Sequence, residues 1–258
     1  LEPRYDGQGH LLRRPSPLSG LRGWAATTLF VAVTFAAILP HLGVVLIALA
    51  RDWYGTVLPS SLTLDNFRLA LGHDLTVPAI ANSLRCAGLA TLIDLVLGVA
   101  IAWVVVRSRL KGRQVLDFLA MLPLAVPGLV LAFGYLAMTQ EGRLFAALNP
   151  ARDPTLLLVI AYSVRRLPYV VRAAVAGFEQ TSVTLEEAAQ NLGCPPVRTL
   201  FRVTLPLISA NLIAGGLLAF AFAMLEVSDS LILAQKQAYY PITKAIMELF
   251  QLLGDGQI

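Results

Sequence analysis

Residues 83–113 read SLRCAGLATLIDLVLGVAIAWVVVRSRLKGR, and this stretch decides the fold class. From Ser83 to Val106 the run carries only two charged residues, Arg85 and Asp94. It is long enough for a membrane-spanning helix, which needs about 20 predominantly apolar residues. The period-2 alternation of a barrel strand is absent. Asn82 or Ser83 would serve as the N-cap. Arg107, Arg109, Lys111 and Arg113 then follow within seven residues, a cluster that marks the cytoplasmic side of the span. Only helices and closed barrels satisfy their backbone in lipid, so the expected fold is all-α, a polytopic transmembrane helix bundle.

The composition agrees. Of the 258 residues 57% are hydrophobic and 14% charged, against about 45–50% and about 25% in soluble domains. Mean hydropathy is +0.69. The net charge of +4 sits in short basic blocks beside apolar runs, which sets topology and argues against nucleic acid as a partner.

Outward from the opening stretch, four further spans are expected: Trp24–Leu49, Val115–Met138, Thr155 to about Ala176, and Leu205 to about Val227. Leu122-Pro123 and Val126-Pro127-Gly128 should kink or unwind the span that contains them. Asp52–Pro78 reads as an outer loop with a short helix over Leu64–Leu71, and Thr139–Pro154 as a second, near-neutral outer loop. Asp229–Ile258 is mixed and expected outside. Five spans leave the chain on the outer side, so a sixth helix is expected beyond Ile258. Leu1 opens a polar stretch without an initiator Met, and residues 1–23 are expected to be a cytosolic tail or an interdomain linker ahead of a transmembrane domain over 24–258.

The cytosolic loop over 181–204 contains Thr184-Leu-Glu186-Glu187-Ala188-Ala189-Gln-Asn-Leu-Gly193-Cys-Pro195-Pro196. Thr184 and Glu187 have capping-box spacing, Gly193 stands where a C′ glycine ends a helix, and Pro196 suits the first turn of the next. A compact helix-turn-helix is expected, ending at Leu205-Pro206, with Ala188 and Ala189 forming a small, flat surface. Glu186 and Arg198 are expected as charges on its rim.

Glu187-Ala188-Ala189, three residues, Gly193, nine residues, Val203, one residue, Leu205-Pro206 resembles the EAA loop of permease subunits of binding-protein-dependent ABC importers, with Val203 where that family usually has Ile. The resemblance covers nearly the whole chain. Asn82-Ser83-Leu84, Leu116-Asp117 to Leu122-Pro123, Arg165-Arg166-Leu167-Pro168-Tyr169 and Glu226 look like the branch that imports ferric iron, with thiamine and aminophosphonate systems close by. It implies a type I importer fold and a coupling helix seated on an ATPase subunit, with Glu187, Ala188, Ala189, Gly193, Leu205 and Pro206 at or shaping that contact. Expected partners are two ATPase copies, a second permease unit (a homodimer mate or a fused half), an extracytoplasmic binding protein and the lipid of a bacterial inner membrane. Arg13-Arg14-Pro-Ser-Pro is similar to the linker that opens the second half of a fused permease. ATP and Mg would reside on the ATPase. No cofactor or metal is expected on this chain.

Charged groups inside spans suggest function by default. Asp94 lies near mid-bilayer, where it faces the pathway or, the commoner outcome, pairs with an Arg from another helix. Glu226, near the outer end of its span, is placed to meet cargo or to cap a helix, and Tyr135, beyond the proline kink, to line the core or the pore. Arg165, Arg166 and Arg172 are expected to anchor the inner interface. Cys86 and Cys194 fall in different compartments and are expected to be inert, and His10, His41 and His73 lie in separate segments. No phosphate-cradling loop, helical His pair or nucleophile elbow appears, which argues against an enzyme. A self-contained secondary transporter is the remaining rival, although it would have no need of the cytosolic helix-turn-helix.

Overall fold

The computed structural model describes residues 19–254. Among these the elements are helical, with one isolated antiparallel bridge between Ala50 and Leu62. The chain divides into two compact units, Leu1–Leu71 and Gly72–Ile258.

In the first unit, α1 (Gly20–Leu49) is apolar around its whole circumference and passes through Pro40 unbroken. It is followed by α2 (Asp65–Gly72), one residue from the expected short helix. The last carbonyls of a helix have no partner within it. Here Asn66 supplies one, its Nδ2 donating to Ala48 O (3.1 Å) and Ala50 O (2.8 Å).

The second unit is built on three helices that pack against one another: α3 (Thr76–Arg107), α6 (Thr155–Gln180) and α10 (Ser209–Met224). α3 begins six residues before the expected cap because Pro78 fits a first helical turn. Asn82 and Ser83 therefore lie inside it, and their side chains hold the C-terminal segment. Asn82 Nδ2 donates to Ala238 O and Tyr240 O, and Ser83 Oγ accepts the Ile242 N–H at 2.8 Å. The three helices approach closely through small residues. A Cβ added at Gly98 would lie 2.7 Å from Val170 Cγ1, and one at Gly215 2.5 Å from Ala173 Cβ.

Between α3 and α6 run α4 (Arg113–Met121), a 3₁₀ turn over Leu122–Ala125, and α5 (Gly128–Met138). The α4 arm and α5 meet at 103°. The residue before a proline is driven out of the helical region, and Val126 is extended at φ −100°, ψ 129°. The kink expected at these prolines is thus a full corner.

After α6, the chain forms α7 (Val183–Asn191), α8 (Pro196–Thr199), a π-wound turn over Leu200–Thr204, and α9 (Leu205–Leu207). Pro206 has no N–H to close the usual bond onto Arg202. The winding widens just before it, with the Leu205 N–H reaching Leu200 O. Ile208 then turns the chain by 76° into α10. The expected span from Leu205 to about Val227 is corrected accordingly. Its first residues belong to the short helical arm before the bend, and the straight helix covers Ser209–Met224.

The reading of Asp229–Ile258 as an outer tail also changes. α11 (Ser228–Leu233) packs against α5 and α6 with Asp229, Ser230 and Leu233 buried, and α12 (Ile242–Gly254) packs against α3. Ser230 and Thr243 are bonded to polar groups of the bundle, a pattern that hydropathy alone does not reveal, while the buried Asp229 carboxylate has no hydrogen-bond partner among the described residues.

α1 and α3 are each long and apolar enough to cross a membrane, and the two bent pairs reach that standard if each is one span. α6, expected as the fourth span, has 26 residues, but three arginines make it less apolar. Most of its length is buried between neighbours. The tail over 1–18 and the helix expected past Ile258 lie outside the described residues.

Replacing Gly98 by Leu should destabilise the purified protein in detergent by about 1–3 kcal/mol, the usual cost of overpacking. Gly88→Ala, whose added Cβ would meet nothing within 4 Å, should leave the thermal midpoint unchanged or raise it. Equal midpoints for the two would refute the close approach of α3 and α6.

Candidate functional site

The helix-turn-helix loop expected over 181–204 is built from local signals. Ser182 is extended (φ −66°, ψ 131°), and its Oγ accepts the Thr184 N–H at 3.3 Å. The N-cap is therefore Ser182, and α7 starts at Val183; the expected box between Thr184 and Glu187 does not form because the helix begins earlier. At the other end the Cys194 N–H donates to Ala189 O (3.0 Å) and the Gly193 N–H to Gln190 O (2.9 Å). This is the paired closure of a Schellman turn. Its left-handed residue is Gly193 at φ 85°. Pro196 opens α8 as expected.

Glu187, Ala188, Gly193, Arg198 and Pro206 are exposed, while Ala189 and Leu205 are half-buried. Leu185, Leu192, Val197 and Phe201 also face outward, Leu192 at 90% exposure. The arm thus presents an apolar surface with one acidic residue and one basic residue among the expected contacts.

Glu186 differs from its expected place on the rim. It is buried, turned inward by Arg107 at the end of α3. Arg107 Nε donates to Glu186 Oε1 (3.1 Å), and Nη2 donates to Phe178 O and Thr181 O, each at 2.9 Å. Its guanidinium lies 5.6 Å from the Phe178 ring centroid.

A second constellation is buried in the bundle. Asp94 on α3, fully buried, accepts from Ser163 Oγ at 2.5 Å. Glu226, between α10 and α11, is 3% exposed. Its Oε2 accepts from Arg166 and lies at ion-pair distance from Arg165 Nε (3.2 Å), and its Oε1 accepts the Ser228 N–H (3.1 Å) at the start of α11. Its backbone carbonyl accepts from Ser230 Oγ and Thr243 Oγ1, both 2.7 Å, and Ser230 Oγ is 2.7 Å from Tyr162 OH. Arg166 also lies over the Phe222 ring.

The expected role of Arg165 and Arg166 as inner-interface anchors is overturned, because a buried carboxylate is the stronger partner for a guanidinium on an internal helix face. Arg172, further along α6, instead meets Asp117 of α4 at 3.0 Å and is half exposed. Of the sequence candidates, the structure brings Asp94 and Glu226 onto the same helix, α6, through Ser163 and the two arginines. Tyr135 is half-buried against the neighbouring apolar core.

Sequence reasoning missed Asp229, Ser230 and Thr243, which were read as an outer tail. Adjacent arginines inside one span and an acid at the end of another were the available signal for the Arg165, Arg166 and Glu226 cluster. Gly128 completes the arrangement: a Cβ there would fall on the Arg165 guanidinium, so the corner between α4 and α5 is fitted around that side chain.

Comparison with known proteins adds a family. Residues 94–250 match the sequence profile described as "Binding-protein-dependent transport system inner membrane component". The ferric transport system permease protein FbpB of Actinobacillus pleuropneumoniae is 30% identical over 171 residues, which is 65% of this chain and 24% of that protein. A putative ferric transport system permease of Haemophilus influenzae is 33% identical, with 26% of its length matched. The chain thus spans about a quarter of those two relatives. The molybdate/tungstate transport system permease protein WtpB of Pyrococcus furiosus is 31% identical over 74% of this chain and 73% of its own. The fold is similar to that of a bacterial ABC transporter involved in alginate import (TM-score 0.68, 16% identity), over 93% of this chain and 89% of that one.

Glu226→Gln should leave two partly buried guanidiniums, 21% and 12% exposed, without their counter-charge, a defect whose upper bound is the roughly 3–5 kcal/mol of a fully buried pair. Arg172→Gln, at a half-exposed pair, should change stability by no more than about 1 kcal/mol. Thermal unfolding in detergent measures both, and a Glu226→Gln protein as stable as wild type would remove the cluster's structural role.

Proposed function

Because the chain belongs to the family of inner membrane components of binding-protein-dependent transport systems, we propose that it is the permease unit of an ABC importer. It forms the translocation pathway and couples ATP hydrolysis on a separate subunit to import. The observation that carries this reading is the arm over Thr181–Pro206. It is capped at both ends, stopped at Gly193 and restarted at Pro196, and it holds Glu187 and Ala188 out beside exposed Leu192 and Val197.

In this reading α7 seats in a groove on the ATPase. Glu187, Ala188, Ala189 and Gly193 make or shape that contact, Arg198 lies at its edge, and Leu205-Pro206 closes the arm ahead of the turn at Ile208 into α10. Two ATPase copies hold ATP and Mg. A second permease unit, a homodimer mate or a fused half, faces this one. An extracytoplasmic binding protein delivers cargo, and the chain crosses a bacterial inner membrane several times.

Ferric iron is the first choice of cargo, supported by the similarity to two ferric permeases. An oxyanion such as molybdate is the second, supported by a relative matched over most of its length. Measuring which ligand the cognate binding protein holds separates the two. 2-Aminoethylphosphonate and thiamine are further outcomes of the same measurement.

Glu187→Pro and Gly193→Val should each reduce uptake and ATPase co-purification by roughly tenfold or more, the effect of about 1.4 kcal/mol of lost docking energy. Val is disfavoured at Gly193 by its left-handed backbone. Membrane insertion should be unaffected. Normal uptake by both variants would sink the coupling assignment.

A further inference from the structure

Arg107 stands where three elements meet. It is the last residue of α3, its Nη2 closes the carbonyls of Phe178 and Thr181 where α6 ends, and its Nε holds Glu186 in the first turn of α7. The two ionised side chains are 10% and 11% exposed, and the guanidinium also covers the Phe178 ring. A planar guanidinium offers five donors in a fixed fork. Here that fork serves one carboxylate and two backbone carbonyls at once, which a single ammonium cannot do with the same rigidity.

The placement matters because of what the two long helices reach. α3 is unbroken from Arg107 back to Asp94, about 20 Å at 1.5 Å per residue. α6 is unbroken from its end near Thr181 back to Arg165, Arg166 and Ser163. Both therefore run from the cytosolic arm to the buried polar cluster. The backbone link between α6 and α7 is short, Thr181–Ser182, and Ser182 is extended. Without a brace, α7 could pivot there while α3 stayed still.

We propose that Arg107 is the positioning residue that makes α7, α6 and α3 move as one body, so that displacement of the arm reaches both helices that bear the polar cluster. This rests on the reading of the arm as the ATPase-coupling element and adds a path by which its motion enters the bundle. Coupling of two sites is a free energy carried by an element both can bias, and the Arg107 fork joins the arm to such elements. Glu186 then acts through Arg107, with a role separate from that of exposed Glu187.

The test uses the assembled transporter, with its ATPase and binding protein, in proteoliposomes. Arg107→Met keeps the apolar stem over Phe178 and removes the donors. Its ATPase should still co-purify, while cargo moved per ATP hydrolysed should fall roughly tenfold, equivalent to about 1.4 kcal/mol of lost coupling. Arg107→Lys should fall between Met and wild type. A residue that only stabilised the fold would lower the amount of transporter without changing that ratio. If Arg107→Met does not assemble, Glu186→Gln replaces it, with the same expected fall in the ratio. An unchanged ratio in whichever variant assembles overturns the proposal. Failure of the wild-type chain to bind an ATPase overturns instead the functional reading beneath it.

Discussion

Two adjacent arginines sit on an internal helix, and nearly everything around α6 follows from the need to neutralise them. An isolated charge taken out of water is costly, and a single carboxylate offsets that only when its geometry is good and its other lone pairs are used. Glu226 meets those conditions: Oε2 faces both guanidiniums, Oε1 takes the first N–H of α11, and the carbonyl of the same residue gathers Ser230 and Thr243. The end of α10 and the start of α11 are thereby drawn to one face of α6, and the start of α12 is tied to them through Thr243. The corner at Val126-Pro127-Gly128 is part of the same arrangement, since a Cβ at Gly128 would displace the Arg165 guanidinium from its present position.

Around that cluster the bundle alternates stiff and bent pieces. α3 and α6 are long and continuous, and they meet through glycine and alanine, which brings their backbones close. The bends are placed by proline. Val126-Pro127 makes a corner of 103°, and the widened turn before Pro206 precedes one of 76°. Each bend removes backbone hydrogen bonds locally and leaves the helices on either side intact.

Much of this was legible in the residues. Apolar run length identified α1 and α3, and the prolines marked where the third span would bend. Gly193 and Pro196 located the stop and restart of the helical arm after α6, because a left-handed residue and a fixed φ are properties of single residues. What was not legible depended on pairing over long sequence separations. Glu186 turned inward because Arg107 waits 79 positions earlier, and Ser230 and Thr243 were read as an outer tail because the Tyr162 hydroxyl and the Glu226 carbonyl come to them only in three dimensions; the cap at Ser182 in place of Thr184 is a local difference of two residues. The start of α10 was misplaced for a related reason: Leu205–Leu207 are apolar enough to join either neighbour, and the turn at Ile208 decides between them.

The arginines of α6 also bear on how the chain enters its membrane during synthesis. A helix with two charges near its middle is disfavoured for independent insertion by about 2.5–3.5 kcal/mol for each one. The carboxylate that balances Arg165 and Arg166 is Glu226, translated 60 residues after Arg166. Until that residue emerges, α6 lacks its own counter-charge and must be sheltered by protein or water instead of settling in lipid. The counter-charge that α6 needs thus comes from a later part of the chain, at the end of α10, and ties the two helices together.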